Sequence, residues 1–364
     1  MTETTDALSD GLSVEITGAM ARVTLDLPKA LNALTARMRA RLGEGLSRFS
    51  RDPQVYCAVI RSTHPNVFSA GSDVREVIES DRIGRERARR LFRDEYALNW
   101  QCECFSKPTI SLIDGMVMGG GVGISLYGTH RVAGEGYRFA MPEAKIGLFP
   151  DVGTCHAFAR MPDGIGMYLG LTGNAIGRAD AYRLGLATHV IPAHRFAGIE
   201  AELADVQPVD TVLDARHEEP GAGELERHRE TIARAFTAPS VLEIVARLED
   251  TSGADADWAR QTAAEVRRRS PMSLAITFRH IREAIARDLR ETLHVDYRLA
   301  CRSLDGHDFH EGVRALISEK DNAPSWWPER IEDVTAAAVE AQFDPMGAGE
   351  LVLPTRQEMQ AARV

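Results

Sequence analysis

Apolar residues recur along this chain in two periods, and the change from one to the other divides it. Residues 12–16 and 21–25 read as paired strands turning at Thr17-Gly18. Thr35 opens a helix that carries Met38, Leu42, Leu46 and Phe49 on one face. Residues 55–60 read as a buried strand, followed by the glycine-bearing loop HPNVFSAGSD. One helix is predicted over 82–100 and a strand over 109–113, which leads into a glycine-rich turn. Short strands at 131–133 and 137–140 come next, then helices over 164–171 and 179–184 and a last strand at 188–191. Strands alternating with helices predict an α/β domain over residues 12–195.

From about residue 223 to 320 the spacing is helical, with almost no strand signal. HEEPGAGE at 217–224 marks a joint through its glycines, proline and charges. Ser270-Pro271 supplies an N-cap and a first-turn proline for a helix running through Ile285. These patterns predict a helical region over 196–335 and a partly helical tail over 336–364. Residues 1–10 are polar and read as loose.

Composition narrows the function without naming it. The 364 residues are 44% hydrophobic and 26% charged, enough to bury a large core. A net charge of −10 argues against a nucleic-acid partner, which needs a basic surface. It leaves room for a small anionic ligand on a local basic patch. The arginines at 82, 85, 87, 89, 90 and 93 read as a solvated helix face or as such a patch. Five scattered cysteines (57, 102, 104, 155 and 301) do not form a disulfide framework, which points to a reducing compartment. MTETTDALSD lacks the basic start and apolar core of a signal peptide, and no apolar window spans a membrane. A cytoplasmic protein with no membrane partner is expected.

The candidate chemistry gathers between Asp114 and Asp151. Gly119, Gly120, Gly121 and Gly123 allow a ligand close to the backbone, and a helix starting there points unpaired N–H groups at it. The same glycines could simply let a helix pack closely. Their spacing fits neither the dinucleotide nor the P-loop pattern. Glu143 and Asp151 lie in apolar surroundings, where a carboxyl's pKa tends to rise toward the range useful for proton transfer. Eight extended residues could hold them up to ~26 Å apart, so spacing does not prove proximity. Ala70-Gly71-Ser72-Asp73 forms a second glycine turn after a strand. His307 and His310 have the spacing of a metal pair but lack an evident third ligand, which favours a structural role, and Cys102 and Cys104 lack a second pair. No G-x-S-x-G nucleophile elbow exists.

At the level of longer motifs the chain resembles the crotonase (enoyl-CoA hydratase/isomerase) superfamily, and within it the 3-hydroxyisobutyryl-CoA hydrolase branch. The matching segments are PKALNALT (28–35), FSAGSD (68–73), MGGGVGIS (118–125), FAMPEAKIGLFPDVG (139–153) and LTG (171–173). SPMSLAITFRH (270–280), YRLA (297–300) and GHDFHEGVRALISEKD (306–321) extend the likeness through the helical part and favour this branch. The resemblance implies an α/β, crotonase-like spiral of ββα units with a helical C-terminal region, assembled as homo-oligomers, trimers or their multiples. Carried over residue by residue, it makes the Ser72 and Gly120 N–H groups the oxyanion-hole donors and Glu143 and Asp151 the catalytic pair. Glu95 becomes a substrate-pocket residue, and Lys29, Ala30 and Ala70 line the coenzyme A portion. It implies an acyl-CoA substrate, no metal, and no cofactor beyond the coenzyme A that the substrate carries.

One substitution separates the two best enzymatic readings. The first hydratase glutamate falls here on Gly123, which cannot do acid–base work, while Asp151 stands where hydratases usually carry glycine. The implied reaction is therefore hydrolysis of a short 3-hydroxyacyl-CoA thioester, 3-hydroxyisobutyryl-CoA foremost, in valine breakdown. The alternatives are an enoyl-CoA hydratase/isomerase and a non-catalytic acyl-CoA-binding protein. Two departures from the branch stand out: Ser72 where it often has glycine, and Thr154-Cys155-His156 after the aspartate.

Overall fold

The structure is a computed structural model that describes residues 10–363. The expected loose segment at 1–10 therefore lies almost wholly outside the described residues. Strands β1 (Leu12–Thr17) and β2 (Met20–Leu25) form the antiparallel pair read from the sequence, with Leu12 opposite Leu25. Parallel neighbours β3 (Cys57–Ser62), β5 (Thr109–Ile113), β7 (His130–Ala133) and β10 (His189–Val190) complete a six-stranded sheet. A second sheet holds β4 (Val67–Ser69), β6 (Met116–Met118), β8 (Arg138–Ala140) and β9 (Ile176–Gly177).

The chain steps from the first sheet to the second three times, β3 to β4, β5 to β6 and β7 to β8, and each time a helix follows. That repeat is a spiral of ββα units. The second sheet was missed in the sequence except for β8, because strands of two or three residues are too short to show a period.

Both faces of the large sheet are covered, so its strands read as continuous apolar runs. Ala58 and Ile60 of β3 face the main core, while Cys57 and Val59 face a second cluster. Helix α1 (Ala36–Arg51) is capped by the Thr35 side chain. Its Met38, Leu42, Leu46 and Phe49 are each at most 2% exposed. Burying an apolar side chain of that size stabilises by about 1.5–3 kcal/mol.

Asp73 caps α2 (Val74–Ile83), a helix that was not expected, which ends before the extended Gly84. The helix expected over 82–100 is α3 (Arg85–Cys104). The short α4 (Gly120–Gly123), α5 (Thr154–Phe158), α6 (Ile165–Thr172) and α7 (Arg178–Arg183) connect the later strands. Past residue 195, α8 (Phe196–Ala204) and α9 (Val209–Asp214) pack Ile199, Leu203, Val212 and Leu213 against the second face of the large sheet.

The rest is helical: α10 (Arg229–Phe236), α11 (Val241–Glu249), α12 (Ala256–Arg267), α13 (Pro271–Ala284), α14 (Leu289–Asp305) and α15 (Asp308–Val313). Ser270 caps α13 as its sequence requires, accepting from the Ser273 N–H at 3.1 Å. Helix α14 packs along α3. The arginine run helps to dock it: Arg85 and Arg89 pair with Asp305, and Arg93 donates to the Tyr297 hydroxyl at 2.8 Å. The tail folds back through α16 (Ala336–Phe343) and α17 (Arg356–Ala361), with the Trp100 indole N–H donating to the Pro354 carbonyl. Among the described residues no helix is long and apolar enough to cross a membrane.

Candidate active site

Two glycine loops meet where the neighbouring strands β4 and β6 of the second sheet run out into α2 and α4. Gly71, at φ 104°, and Gly119, at φ 47°, occupy conformations that favour glycine, and each lets the other's backbone approach. A Cβ on Gly71 would lie 3.3 Å from the Gly119 Cα and 3.4 Å from the Gly120 nitrogen. A Cβ on Gly120 would lie 3.1 Å from the Ser72 nitrogen. Neither the Ser72 nor the Gly120 N–H has an acceptor among the described residues. Two free donors side by side make a nook for one oxygen. The helix expected after the glycines is a single turn, so the donors owe their aim to the loops and not to a long helix dipole.

The loop at 28–34 is stitched to the first of these. Ala70 N–H donates to the Leu31 carbonyl at 2.9 Å, Leu34 N–H to the Gly71 carbonyl at 2.8 Å, and the Asn32 amide to the Phe68 carbonyl at 3.0 Å. Lys29 and Ala30 stand exposed on this loop, and Ala70 is half-buried beside it. The loop that carries Lys29 and Ala30 thus runs beside Ala70, two residues before Ser72.

Helix α3 supplies the wall opposite. Glu95, 4% exposed, accepts from the Ser72 hydroxyl and lies 3.8 Å from the buried Arg39 guanidinium. Tyr96, the next residue, donates its hydroxyl to Asp151 Oδ2 at 2.8 Å. Asn99, one turn on from Glu95, fills the space beside Gly123. A Cβ at Gly123 would lie 2.5 Å from the Asn99 amide nitrogen and 2.9 Å from the Val152 Cβ. No acidic side chain can stand at position 123 without moving both.

Glu143 and Asp151 are brought together by a reversal in the chain. Glu143 begins a single 3₁₀ turn that ends at Gly147, at φ 74°, and Leu148 N–H returns to the Glu143 carbonyl at 3.0 Å. Both acids are buried, at 7% and 6% exposed. Glu143 Oε1 would lie 3.1 Å from a Cβ on Gly119, and Oε2 has no partner. Burial pushes the Glu143 carboxyl up to about 8, with the Glu95 charge adding to the effect. Asp151 is pushed well above the ordinary carboxylate range, first by burial, then by Glu143, Glu95 and Asp296, while the Tyr96 hydrogen bond pulls the other way. Two acids that oppose each other's ionisation titrate as a pair, so neither pKa belongs to one residue alone.

Other expectations resolve simply. All five cysteines are free and buried, with Cys102 and Cys104 inside α3. His307 and His310 donate to the carbonyls of Ser325 and Leu304 at 2.8 and 3.0 Å, which is a structural role. Cys155 donates its thiol to the Pro150 carbonyl at 3.1 Å and so braces the Asp151 turn. Sequence reasoning missed Arg39, Tyr96 and Asn99. The spacing of Tyr96 and Asn99 from Glu95 on one helix was the available signal.

Fold and site together define a class: a two-sheet ββα spiral in which a pair of backbone donors meets a pair of buried acids. The chain belongs to the enoyl-CoA hydratase/isomerase family, whose model matches residues 20–343. It is 37% identical to the mitochondrial 3-hydroxyisobutyryl-CoA hydrolase of Xenopus tropicalis over 92% of this chain and 89% of that protein. It is also 37% identical to 3-hydroxyisobutyryl-CoA hydrolase 1 of Arabidopsis thaliana over 96% of this chain and 95% of that one. Among solved structures, the carnitinyl-CoA dehydratase of Mycobacterium thermoresistibile superposes with a TM-score of 0.89 at 34% identity, covering 94% of this chain and 99% of that one. The resemblance read from the motifs thus stands over nearly the whole length.

Proposed function

We propose that this protein hydrolyses the thioester of a short 3-hydroxyacyl-coenzyme A, with 3-hydroxyisobutyryl-CoA the preferred substrate, releasing the free acid and coenzyme A. One observation carries the reading: two backbone donors without acceptors lie beside two buried carboxyls that both resist ionisation. The thioester oxygen sits between the Ser72 and Gly120 N–H groups, which stabilise the charge it gains as the carbonyl carbon turns tetrahedral. Ionised Glu143 either attacks that carbon to give a mixed anhydride or takes a proton from an attacking water. The C–S bond breaks, and protonated Asp151 gives its proton to the departing thiolate. On the anhydride route, water then cleaves the intermediate and restores the glutamate. Single turnover in heavy-oxygen water separates the two, because label enters Glu143 only through the anhydride.

Lys29, Ala30 and Ala70 form the rim for the coenzyme A portion, and Glu95 lines the acyl pocket. Coenzyme A arrives as part of the substrate, and the reaction uses no other cofactor. The names of the hydrolase relatives support valine breakdown as the setting. The five unpaired cysteines support a reducing compartment; the cytoplasm is proposed over the mitochondrion that the Xenopus relative's name carries, and cell fractionation decides between them. A homo-oligomer, a trimer or a multiple of trimers, is proposed by analogy with the family and is checked by sedimentation.

The dehydratase name of the solved neighbour favours a second reading, hydration of an enoyl-CoA. Position 123 weighs against it. Hydration in this family uses a glutamate there, and Asn99 and Val152 leave it no room. Thiol release from 3-hydroxyisobutyryl-CoA, with crotonyl-CoA hydration run in parallel, tests one reading against the other.

A further inference from the structure

Behind Asp151 lies a second pair of buried polar residues that the mechanism above does not use. Asp296 on α14 and His280 on α13 are both 0% exposed. Asp296 Oδ1 lies 2.6 Å from His280 Nε2, and Oδ2 accepts from the Gly153 N–H, also at 2.6 Å. Gly153 ends a turn in which Val152 has φ 51° and Gly153 φ 78°. A β-branched residue such as valine rarely adopts that left-handed conformation, so its surroundings must hold it there. Val152 is itself 0% exposed and Asp151 precedes it directly. Asp151 is therefore held at two points: Tyr96 grips its carboxyl, and Asp296 grips the backbone two residues on.

We propose that Asp296 and His280 are a positioning pair for Asp151: Asp296 fixes the left-handed turn that aims the acid, and His280 fixes Asp296. The proposal rests on the hydrolase reading for its kinetic consequences, and on geometry alone for the rest. The groups facing Asp151 are Glu95 and Tyr96 from α3, Glu143 from the 3₁₀ turn, Cys155 from α5 and Asp296 from α14, with His280 of α13 behind Asp296. Asp296 differs from the two glutamates in being tied to the Asp151 turn through the Gly153 N–H and to His280. Its charge adds to the resistance that Asp151 offers to ionisation and so favours the protonated form that can serve a leaving thiolate.

The test compares wild type with D296A, D296N, H280Q and H280L. Wild-type thiol release decides the hydrolase reading, and the variants are then scored against wild type. D296A removes the anchor and is expected to lower kcat about 10²-fold with KM little changed, the cost of a misplaced catalytic group. D296N keeps an oxygen for the Gly153 N–H but loses the charge. It should retain most of kcat while the alkaline limb of the kcat profile moves to lower pH, a shift that a merely structural role does not produce. H280Q, which keeps an N–H toward Asp296, should exceed H280L in kcat. A second readout does not depend on turnover: the carboxyl ¹³C signal of Asp151, assigned by its loss in D151N, should titrate at lower pH in D296N than in wild type. An Asp151 titration that coincides in wild type and D296N overturns the proposal. So does D296A whose activity per folded molecule equals that of wild type.

Discussion

The two halves of the site are held by different means. The donor nook is backbone held by backbone: the loops at 28–34, 70–73 and 118–120 are tied mainly by main-chain hydrogen bonds and by glycines whose φ values suit few other residues. The acids are held through side chains as well, Tyr96 on the Asp151 carboxyl and Asp296 on the Gly153 N–H, and much of this support comes from far away in sequence. Tyr96 reaches Asp151 across 55 positions, and Asp296 reaches Gly153 across 143. The nook therefore tolerates changes of side chain that keep the backbone, whereas the acid pair depends on each partner and on its charge. The contrast also fits the chemistry, since an oxyanion needs only donors in the right place, while proton transfer needs tuned acids.

Substitutions at each half sharpen this difference, beginning with the acids. E143Q is expected to lower kcat by about 10³-fold or more, and D151N by about 10²–10³-fold, at nearly unchanged KM, as read by thiol release. In the nook, G120A drives a methyl group into the Ser72 hydroxyl and the Glu95 carboxylate and to 3.1 Å from the Ser72 nitrogen, displaces that side of the nook, and should lower kcat by about 10²-fold. If G120A and wild type matched in kcat, the nook would not be where the oxyanion sits. G123E should gain no hydratase activity and should lose about 1–3 kcal/mol of stability to overpacking against Asn99 and Val152, measured by denaturant melts.

The acids also predict a dependence of stability on pH. Folding raises the Glu143 pKa, so the folded state takes up a proton that the unfolded state does not hold between about 4.5 and about 8. Stability from this group is therefore present at the acid end of that window and is lost as pH rises through it. E143Q should flatten the slope and be the more stable protein at the alkaline end, by thermal melts across the window. The smallest effect belongs to S72A. It keeps the backbone donor and loses only the hydroxyl bond to Glu95, so a change of no more than about threefold in kcat is expected, set against the effect of G120A.

How much of this was legible in the sequence follows the same division. The nook was legible because glycines at fixed places mark backbone that must come close, and because whole motifs matched a family. The period-2 and period-3.6 patterns gave the large sheet, α1 and α13 to within a few residues. The second sheet was not legible, since β4, β6 and β9 have two or three residues each. Nor was α2, whose Asp73 cap follows the glycine loop that was read as a turn. Glu143 and Asp151 were legible as residues, but their nearness depends on the Gly147 reversal, which spacing does not reveal. Tyr96, Asn99 and Asp296 are ordinary helix residues until the fold shows what they face.

The measurement that bears most directly on the central claim is free thiol release from 3-hydroxyisobutyryl-CoA by purified protein, followed beside hydration of crotonyl-CoA. The account predicts steady thiol release that collapses in E143Q and D151N, with no hydration above background. Hydration of crotonyl-CoA without thiol release would contradict it, and would require a water-activating acid that position 123 does not supply.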